Sequence, residues 1–417
     1  YTDMMKKIAI WMMALVCLVS CGDDTPTPER KKRVDIPLSK SEEVLVANNN
    51  DFAFNLFRKV AEQKQAKQNT FISPLSVTVA FSMLLNGADG ETKDEIREVL
   101  GYDGMQLDEI NDFYQKILEA AVDIDPQVEV AMANSIWVQN GFPVLAPFVD
   151  VNKAYYQAEV KNVDFGQSQT LDQMNRWVSQ QTKGIIGKMF EPQDLQNSII
   201  YLVNALYFKG EWASPFEKKE TKDEPFYNID GSETKVPMMR KTRGGFYAQN
   251  EDYALTALPY GNGAFEMFFV LPNEGVDIDK VIDGLTFDAW QECMNNYGGY
   301  CTVKLKLPRF KTGYDFQLND ILQDLGMKTA FDSQQADFSL LSQYDVYLTK
   351  AMQKAHIEVD EKGTEAVAST AVGGEVMDPG PPRPEDIMEF YIDRPFLYFI
   401  REISTGTIFF MGQIDKM

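Results

Sequence analysis

The chain has 417 residues, 44% hydrophobic and 12% aromatic, long enough for one large domain or two ordinary ones. It carries 40 Lys and Arg against 62 Asp and Glu, a net charge of −22, and that acidity excludes nucleic acid as a partner because phosphate backbones select basic grooves. The one histidine, His356, leaves little from which to build Ser-His-Asp or Cys-His catalysis or a zinc site, so neither metal nor cofactor is expected.

The first element is an address. Lys6 and Lys7 precede a twelve-residue apolar run, residues 8–19, too short to span a bilayer comfortably. The run ends in Leu18-Val19-Ser20-Cys21. This resembles the bacterial lipobox, where a signal peptidase cuts before the cysteine and the cysteine takes the lipid. Residues 1–20 are then a lipoprotein signal peptide, and residues 21–45 a lipidated tether beginning Cys21-Gly22-Asp23-Asp24 and continuing through Thr-Pro-Thr-Pro. Acidic residues just after the cysteine resemble a surface-export signal of Bacteroidetes lipoproteins. The expected location is the cell envelope, anchored to the outer membrane and facing outward.

The body follows in order. Phe52, Leu56, Phe57 and Val60 recur at helical spacing and predict a helix over 51–66. Ser73-Pro74 opens a second helix that runs to Leu85 and stops at Asn86-Gly87. Residues 91–100 and 108–123 read as further helices. Strands follow at 128–138, 199–208 and 265–271, with Gly261-Asn262-Gly263 as a hairpin turn between apolar runs. Helical spacing returns at 171–182 and 315–326. The last third is strand-rich, at 357–359, 396–400 and 408–411, and His356 reads as a structural strand residue. Cys293 and Cys301 flank Asn295-Asn296-Tyr297-Gly298-Gly299; an oxidising envelope permits a disulfide across that turn, and two buried thiols are the alternative. Helices lead and strands dominate later, which predicts an α+β fold. No repeat or internal linker divides residues 46–417, so one domain is expected there.

One segment fits neither a helix nor an ordinary loop. Residues 361–374 read Glu-Lys-Gly-Thr-Glu-Ala-Val-Ala-Ser-Thr-Ala-Val-Gly-Gly. No large apolar side chain anchors it, yet it has a period of two. Thr364, Ala366, Ala368, Thr370 and Val372 share one face, and every one is small. Such a strand can slide between two existing strands without meeting what lies beneath. A flexible surface linker is the plainer reading of the same composition.

The surroundings of this segment resemble the serpin family. Residues 355–365, Ala-His-Ile-Glu-Val-Asp-Glu-Lys-Gly-Thr-Glu, are similar to the strand and hinge before the serpin reactive loop. Residues 390–400, Phe-Tyr-Ile-Asp-Arg-Pro-Phe-Leu-Tyr-Phe-Ile, fit the family signature, and residues 404–412 resemble its closing hairpin. Upstream matches lie at 69–76 (Asn-Thr-Phe-Ile-Ser-Pro-Leu-Ser), 86–92 (Asn-Gly-Ala-Asp-Gly-Glu-Thr) and 204–212 (Asn-Ala-Leu-Tyr-Phe-Lys-Gly-Glu-Trp). The resemblance runs from about residue 45 to the end.

It implies a serpin fold of three β-sheets and eight to nine helices, with an exposed reactive-centre loop over about 361–389. It implies a monomeric suicide inhibitor of serine or cysteine proteases rather than an enzyme: the protease cuts the loop, is held as a covalent acyl-enzyme, and is trapped as the loop inserts into the main sheet. The family's scissile residue lies sixteen positions after the hinge glutamate, which places the reactive bond at Met377–Asp378. A long apolar residue there suits elastase-, chymotrypsin- or subtilisin-like pockets. Arg383 in the longer stretch 378–384 would suit a trypsin-like one, but Pro384 follows it. The implied hinge is Glu361, Gly363, Thr364, Glu365, Ala366, Val367 and Ala368. Ser73, Ser76 and Asn204 match the hydrogen-bonded cluster under the strands that must part, the "shutter", with Gln353 where the family usually has histidine. Trp212 matches the tryptophan where insertion begins, and Arg309 the partner of Glu361. A non-inhibitory serpin used as a surface binding module is the second reading.

Overall fold

The computed structural model describes residues 32–63, 68–196, 199–364 and 387–417. Its first two helices start where side chains satisfy the first amides. α1 (Lys40–Gln63) opens with a reciprocal pair: the Ser39 amide donates to Glu42 Oε2 at 2.6 Å and the Glu42 amide to Ser39 Oγ at 3.3 Å. This box sets the helix start eleven residues ahead of the one predicted from apolar spacing. α2 (Pro74–Leu85) has proline at its first turn and Ser73 Oγ accepting from the Ser76 amide at 3.2 Å, as the sequence predicts. It is buried on almost every side. α3 (Gly90–Leu100) ends on Gly101 in the left-handed region. α4 (Leu107–Asp123), α5 (Ala146–Tyr156), α6 (Ser168–Gln181), α7 (Ile278–Gly284), α8 (Phe287–Tyr297) and α9 (Asn319–Leu325) complete nine α-helices among the described residues.

Fifteen described strands form two sheets. The first has six strands: β10 (Phe310–Gln317), β11 (Met352–Val359), β12 (Gly363–Thr364), β4 (Ile200–Glu211), β2 (Val128–Gln139) and β3 (Glu159–Val163), in that order. The second runs β1 (Thr70–Ile72), β15 (Ile408–Ile414), β14 (Phe396–Glu402), β8 (Phe265–Pro272), β7 (Tyr253–Pro259), β6 (Glu233–Gln249), β9 (Gly298–Pro308) and β13 (Ile387–Tyr391), with β5 (Lys222–Tyr227) on β6. Two of the three expected sheets are continuous because β6 is 17 residues long and pairs β5 with its first residues, β9 through its middle and β7 with its last three.

The fold is α+β, and α2 packs against both β4 of the first sheet and β15 of the second. One large core fills the space between the sheets. A second, smaller core lies where α6 crosses the six-stranded sheet: Met174, Trp177 and Val178 of α6 cover Trp137, Tyr201, Val203 and Ala205. The two cores leave β4 covered by α6 on one face and by α2 on the other.

Three local expectations need correction or completion. The helical spacing expected over 315–326 gives way to strand as far as Gln317, since Phe310, Thr312 and Tyr314 alternate inward and pair with β11; α9 begins only at Asn319. His356 is half-buried in β11 opposite Gly313, and burial, then nearby Lys311, holds its imidazole below the usual value. No disulfide joins Cys293 to Cys301: helix α8 continues to Tyr297, Cys293 lies on its buried face beside the Tyr253 hydroxyl, and Cys301 lies in β9 opposite Gly245.

Candidate functional site

The site is the space between β4 and β11. β12 runs antiparallel to both, so β4 and β11 run parallel and start at the same end of the sheet. Among the described residues, the ladder joining them runs through Gly363 and Thr364: Thr364 lies opposite Val359 of β11 and opposite Gly210 of β4. Below that level a cavity of about 100 Å³ lies against β4 from Ile200 to Leu206, β11 from Met352 to Ala355, and the α2 face carrying Ser76, Val77 and Ala80.

At the upper end the chain turns sharply out of β11. The Asp360 amide donates to the Gly363 carbonyl at 2.9 Å, and Asp360 Oδ1 accepts from the Lys362 amide at 2.8 Å. Gly363 is required by a close approach: a Cβ there would stand 2.0 Å from the Gly210 carbonyl oxygen. The turn is gripped from outside by Trp212, whose amide donates to the Lys362 carbonyl at 2.7 Å and whose Nε1 donates to the Asp360 carbonyl at 2.9 Å. Trp212 stacks on Tyr260 with ring centroids 4.5 Å apart. The Tyr260 hydroxyl in turn lies 2.6 Å from Thr364 Oγ1.

Glu361 is 1% exposed yet charged. Arg309 holds it through two bonds, Nε to Oε2 at 2.8 Å and Nη2 to Oε1 at 2.5 Å, and Thr221 Oγ1 donates to Oε1 at 2.7 Å. Burial alone would raise this carboxyl; the Arg309 and Thr221 bonds outweigh it and hold the group below the ordinary glutamate value.

A second cluster lies at mid-height, beneath the strands. Ser73 donates its amide to Gln353 Oε1 at 2.9 Å, and Gln353 Nε2 donates back to the Ser73 carbonyl at 2.8 Å. Ser73 Oγ donates to the Phe409 carbonyl at 2.8 Å. Ser76 Oγ donates to Asn204 Oδ1, Asn204 Nδ2 donates to Asn134 Oδ1 at 2.7 Å, and Asn134 Nδ2 donates to the Tyr156 carbonyl at 2.8 Å. The chain of bonds crosses from β11 through the start of α2 to β4, β2 and the end of α5. Gln353 carries the amide–backbone pair with no titrating group.

The structure thus brings Glu361, Gly363, Thr364, Trp212 and Arg309 together at one end, and Ser73, Ser76, Asn204 and Gln353 together below. Glu365, Ala366, Val367, Ala368, Met377, Asp378 and Cys21 lie outside the described residues. Sequence reasoning missed Tyr260, Thr221 and Asn134. Asn134 lies directly opposite Asn204 only through the β2–β4 register, which no local sequence signal shows. Tyr260 and Thr221 reach the site through tertiary packing and carry none. The arrangement is mechanical: it admits the first residues of an extended strand between two parallel strands and holds them by reversible polar contacts.

A family model described as Serpin (serine protease inhibitor) matches residues 47–417. Antithrombin-III of Mus musculus is 31% identical over 408 residues, covering 94% of this chain and 84% of that protein. Serpin B4 of Homo sapiens is 32% identical over 390 residues, covering 88% and 98%. Among solved structures, the thermophilic serpin tengpin in its native state superposes with a TM-score of 0.81 at 28% identity, covering 93% of this chain and 97% of that one.

Proposed function

The chain belongs to the serpin family, and from that premise we propose that it is a suicide-substrate inhibitor of serine endopeptidases. The protease's serine Oγ attacks the Met377 carbonyl and the Asp378 amine leaves, giving an ester between enzyme and loop. Insertion of the severed loop between β4 and β11 then carries the ester away from the docking end before water completes hydrolysis. About fourteen residues at roughly 3.3 Å each correspond to a displacement on the order of 45 Å. The side chain of Met377 suits elastase-, chymotrypsin- or subtilisin-like pockets. Lipidation at Cys21 would hold the inhibitor on the envelope surface.

The observation that carries this reading is β12. Thr364 lies between β4 and β11, so the first step of insertion has a place in the intact molecule. Its side chain faces inward to Tyr260. Continued alternation would put Ala366, Ala368, Thr370 and Val372 on that same inward face, where small side chains fit above α2.

The test is incubation of the full chain with a panel of serine proteases, followed by denaturing electrophoresis and mass spectrometry. The expected result is a complex that survives denaturation and a released C-terminal peptide beginning at Asp378. Complete cleavage with no such complex from any protease in the panel would favour the binding-module reading.

A further inference from the structure

Beneath the two polar clusters, a third contact joins the two sides of the gap. Asp194 lies in the tight turn Pro192–Leu195 that leads into β4, and Lys350 lies just ahead of β11. Lys350 Nζ pairs with Asp194 Oδ1. The side chains are 18% and 4% exposed, so the pair is largely out of water. Asp194 is braced from its own side: Oδ2 accepts from the Glu191 amide at 2.7 Å, and the Tyr201 hydroxyl donates to its carbonyl. Lys350 also lines the cavity between β4 and β11.

We propose that the Asp194–Lys350 ion pair is a latch across the lower end of the gap, and that it resists the last part of strand insertion rather than the first. This rests on the insertion reading above. β4 and β11 are parallel and both start at this end, so the strands are tied at the top by Thr364 and at the bottom by this pair. A strand descending from Thr364 meets the upper and middle contacts first. Continuing the Thr364–Gly210 and Thr364–Val359 registers, seven residues end at the level of Asn204 on β4 and Gln353 on β11, inside both strands. Fourteen residues pass the start of β4 at Ile200 and must part the segments that Asp194 and Lys350 connect. Separating an ion pair shielded from water is slow unless another partner replaces it.

Peptide annealing tests this directly. Two synthetic peptides copy residues 364–370 and 364–377, and their uptake by the full chain is followed by native electrophoresis and by the rise in melting temperature. The variant is Asp194→Asn with Lys350→Met, which removes both charges at similar volume and avoids leaving one buried alone. Asparagine at 194 still accepts from the Glu191 amide. The variant should take up the longer peptide on the order of tenfold faster than the wild type, the rate equivalent of one lost polar contact in the opening step, and the shorter peptide at the unchanged rate. Lys350→Arg alone, which keeps a cation facing Asp194, should take up the longer peptide at the wild-type rate. Equal acceleration of both peptides, or of neither, overturns the latch while leaving the insertion reading intact. Failure of the wild type to take up either peptide overturns the insertion reading, and the latch with it.

Discussion

The Thr364 hydroxyl lies 2.6 Å from that of Tyr260, with both side chains buried at the level where β4 and β11 are joined. Tyr260 also stacks on Trp212, which donates two hydrogen bonds to the turn before Thr364. The hinge is therefore already seated by one residue, on a fixed aromatic floor. On the insertion reading proposed above, the next residues would enter a site whose shape is already set in the intact molecule.

A charge at position 364 has no partner on that floor. Thr364→Arg must either bury an unpaired guanidinium, at a cost of several kcal/mol, or expel the hinge. Insertion then becomes slower than deacylation, and the variant behaves as a substrate. Gel analysis should show the loop cut at the wild-type rate, with the covalent complex lost. A variant that still traps protease at the wild-type stoichiometry contradicts the role given to Thr364.

The Glu361–Arg309 pair should make the upper end of the sheet acid-sensitive. The folded carboxyl is held below its unfolded value, so its stabilising effect is complete above the ordinary carboxylate pKa of about 4.3. It fades as pH falls through the lower folded value. Melting temperature measured between pH 7 and pH 3 should fall less steeply for Glu361→Gln than for the wild type. At pH 7, Arg309→Ala should lose about 1–2 kcal/mol, below the range for fully buried pairs because the guanidinium is 42% exposed and screened by water.

Gln353 should be worth more than its size suggests. Gln353→Leu leaves the buried Ser73 amide without the partner seen here, at about 1–3 kcal/mol for an unsatisfied group, while the Ser73 carbonyl loses one donor and keeps the Val77 amide. Gln353→His keeps one acceptor while neutral. Protonation removes that acceptor, so this variant should lose more stability than Gln353→Leu as pH falls through the imidazole range near 6.5, over and above the share that His356 contributes to both. Denaturant titrations at pH 5.5 and 8 distinguish the two variants.

Gly363 is fixed by sterics rather than by turn preference. Gly363→Ala places a methyl group 2.0 Å from the Gly210 carbonyl oxygen if the backbone holds still, so β12 should leave the sheet. Amide hydrogen exchange should then rise at Trp212, whose amide donates to the Lys362 carbonyl, while Glu211, whose amide donates to the Gln127 carbonyl, keeps its protection. Unaltered exchange at Trp212 contradicts the seating of β12 described here.

Much of this was readable beforehand, for reasons that differ by residue. Ser73 and Pro74 signal a helix start through local capping chemistry, and α2 begins at Pro74. The inward face of the hinge follows from period-two spacing, and Thr364 points inward. The Glu361–Arg309 pair and the Ser73, Ser76, Asn204 and Gln353 cluster came from family resemblance, because no local rule joins residues so far apart in the chain. The start of α1 was missed although Ser39 and Glu42 spell a capping box, since the apolar spacing only becomes regular later. Phe316, Leu318, Ile321 and Leu322 also fit a helical stripe, so the spacing predicts helix for residues 315–317 at the end of β10, and only the β11 register decides between the two. Tyr260, Asp194 and Lys350 carry no local signal; their roles arise from what the fold brings beside them.

Trapping by insertion requires stored energy: the intact molecule must be less stable than the one whose loop has joined the sheet. Calorimetry before and after a single cut within the reactive loop measures that difference. The cleaved protein should melt far above the intact one, by tens of degrees, with residues 365–372 protected from hydrogen exchange after the cut. Equal melting temperatures before and after the cut would contradict insertion between β4 and β11 and leave the molecule a binding scaffold.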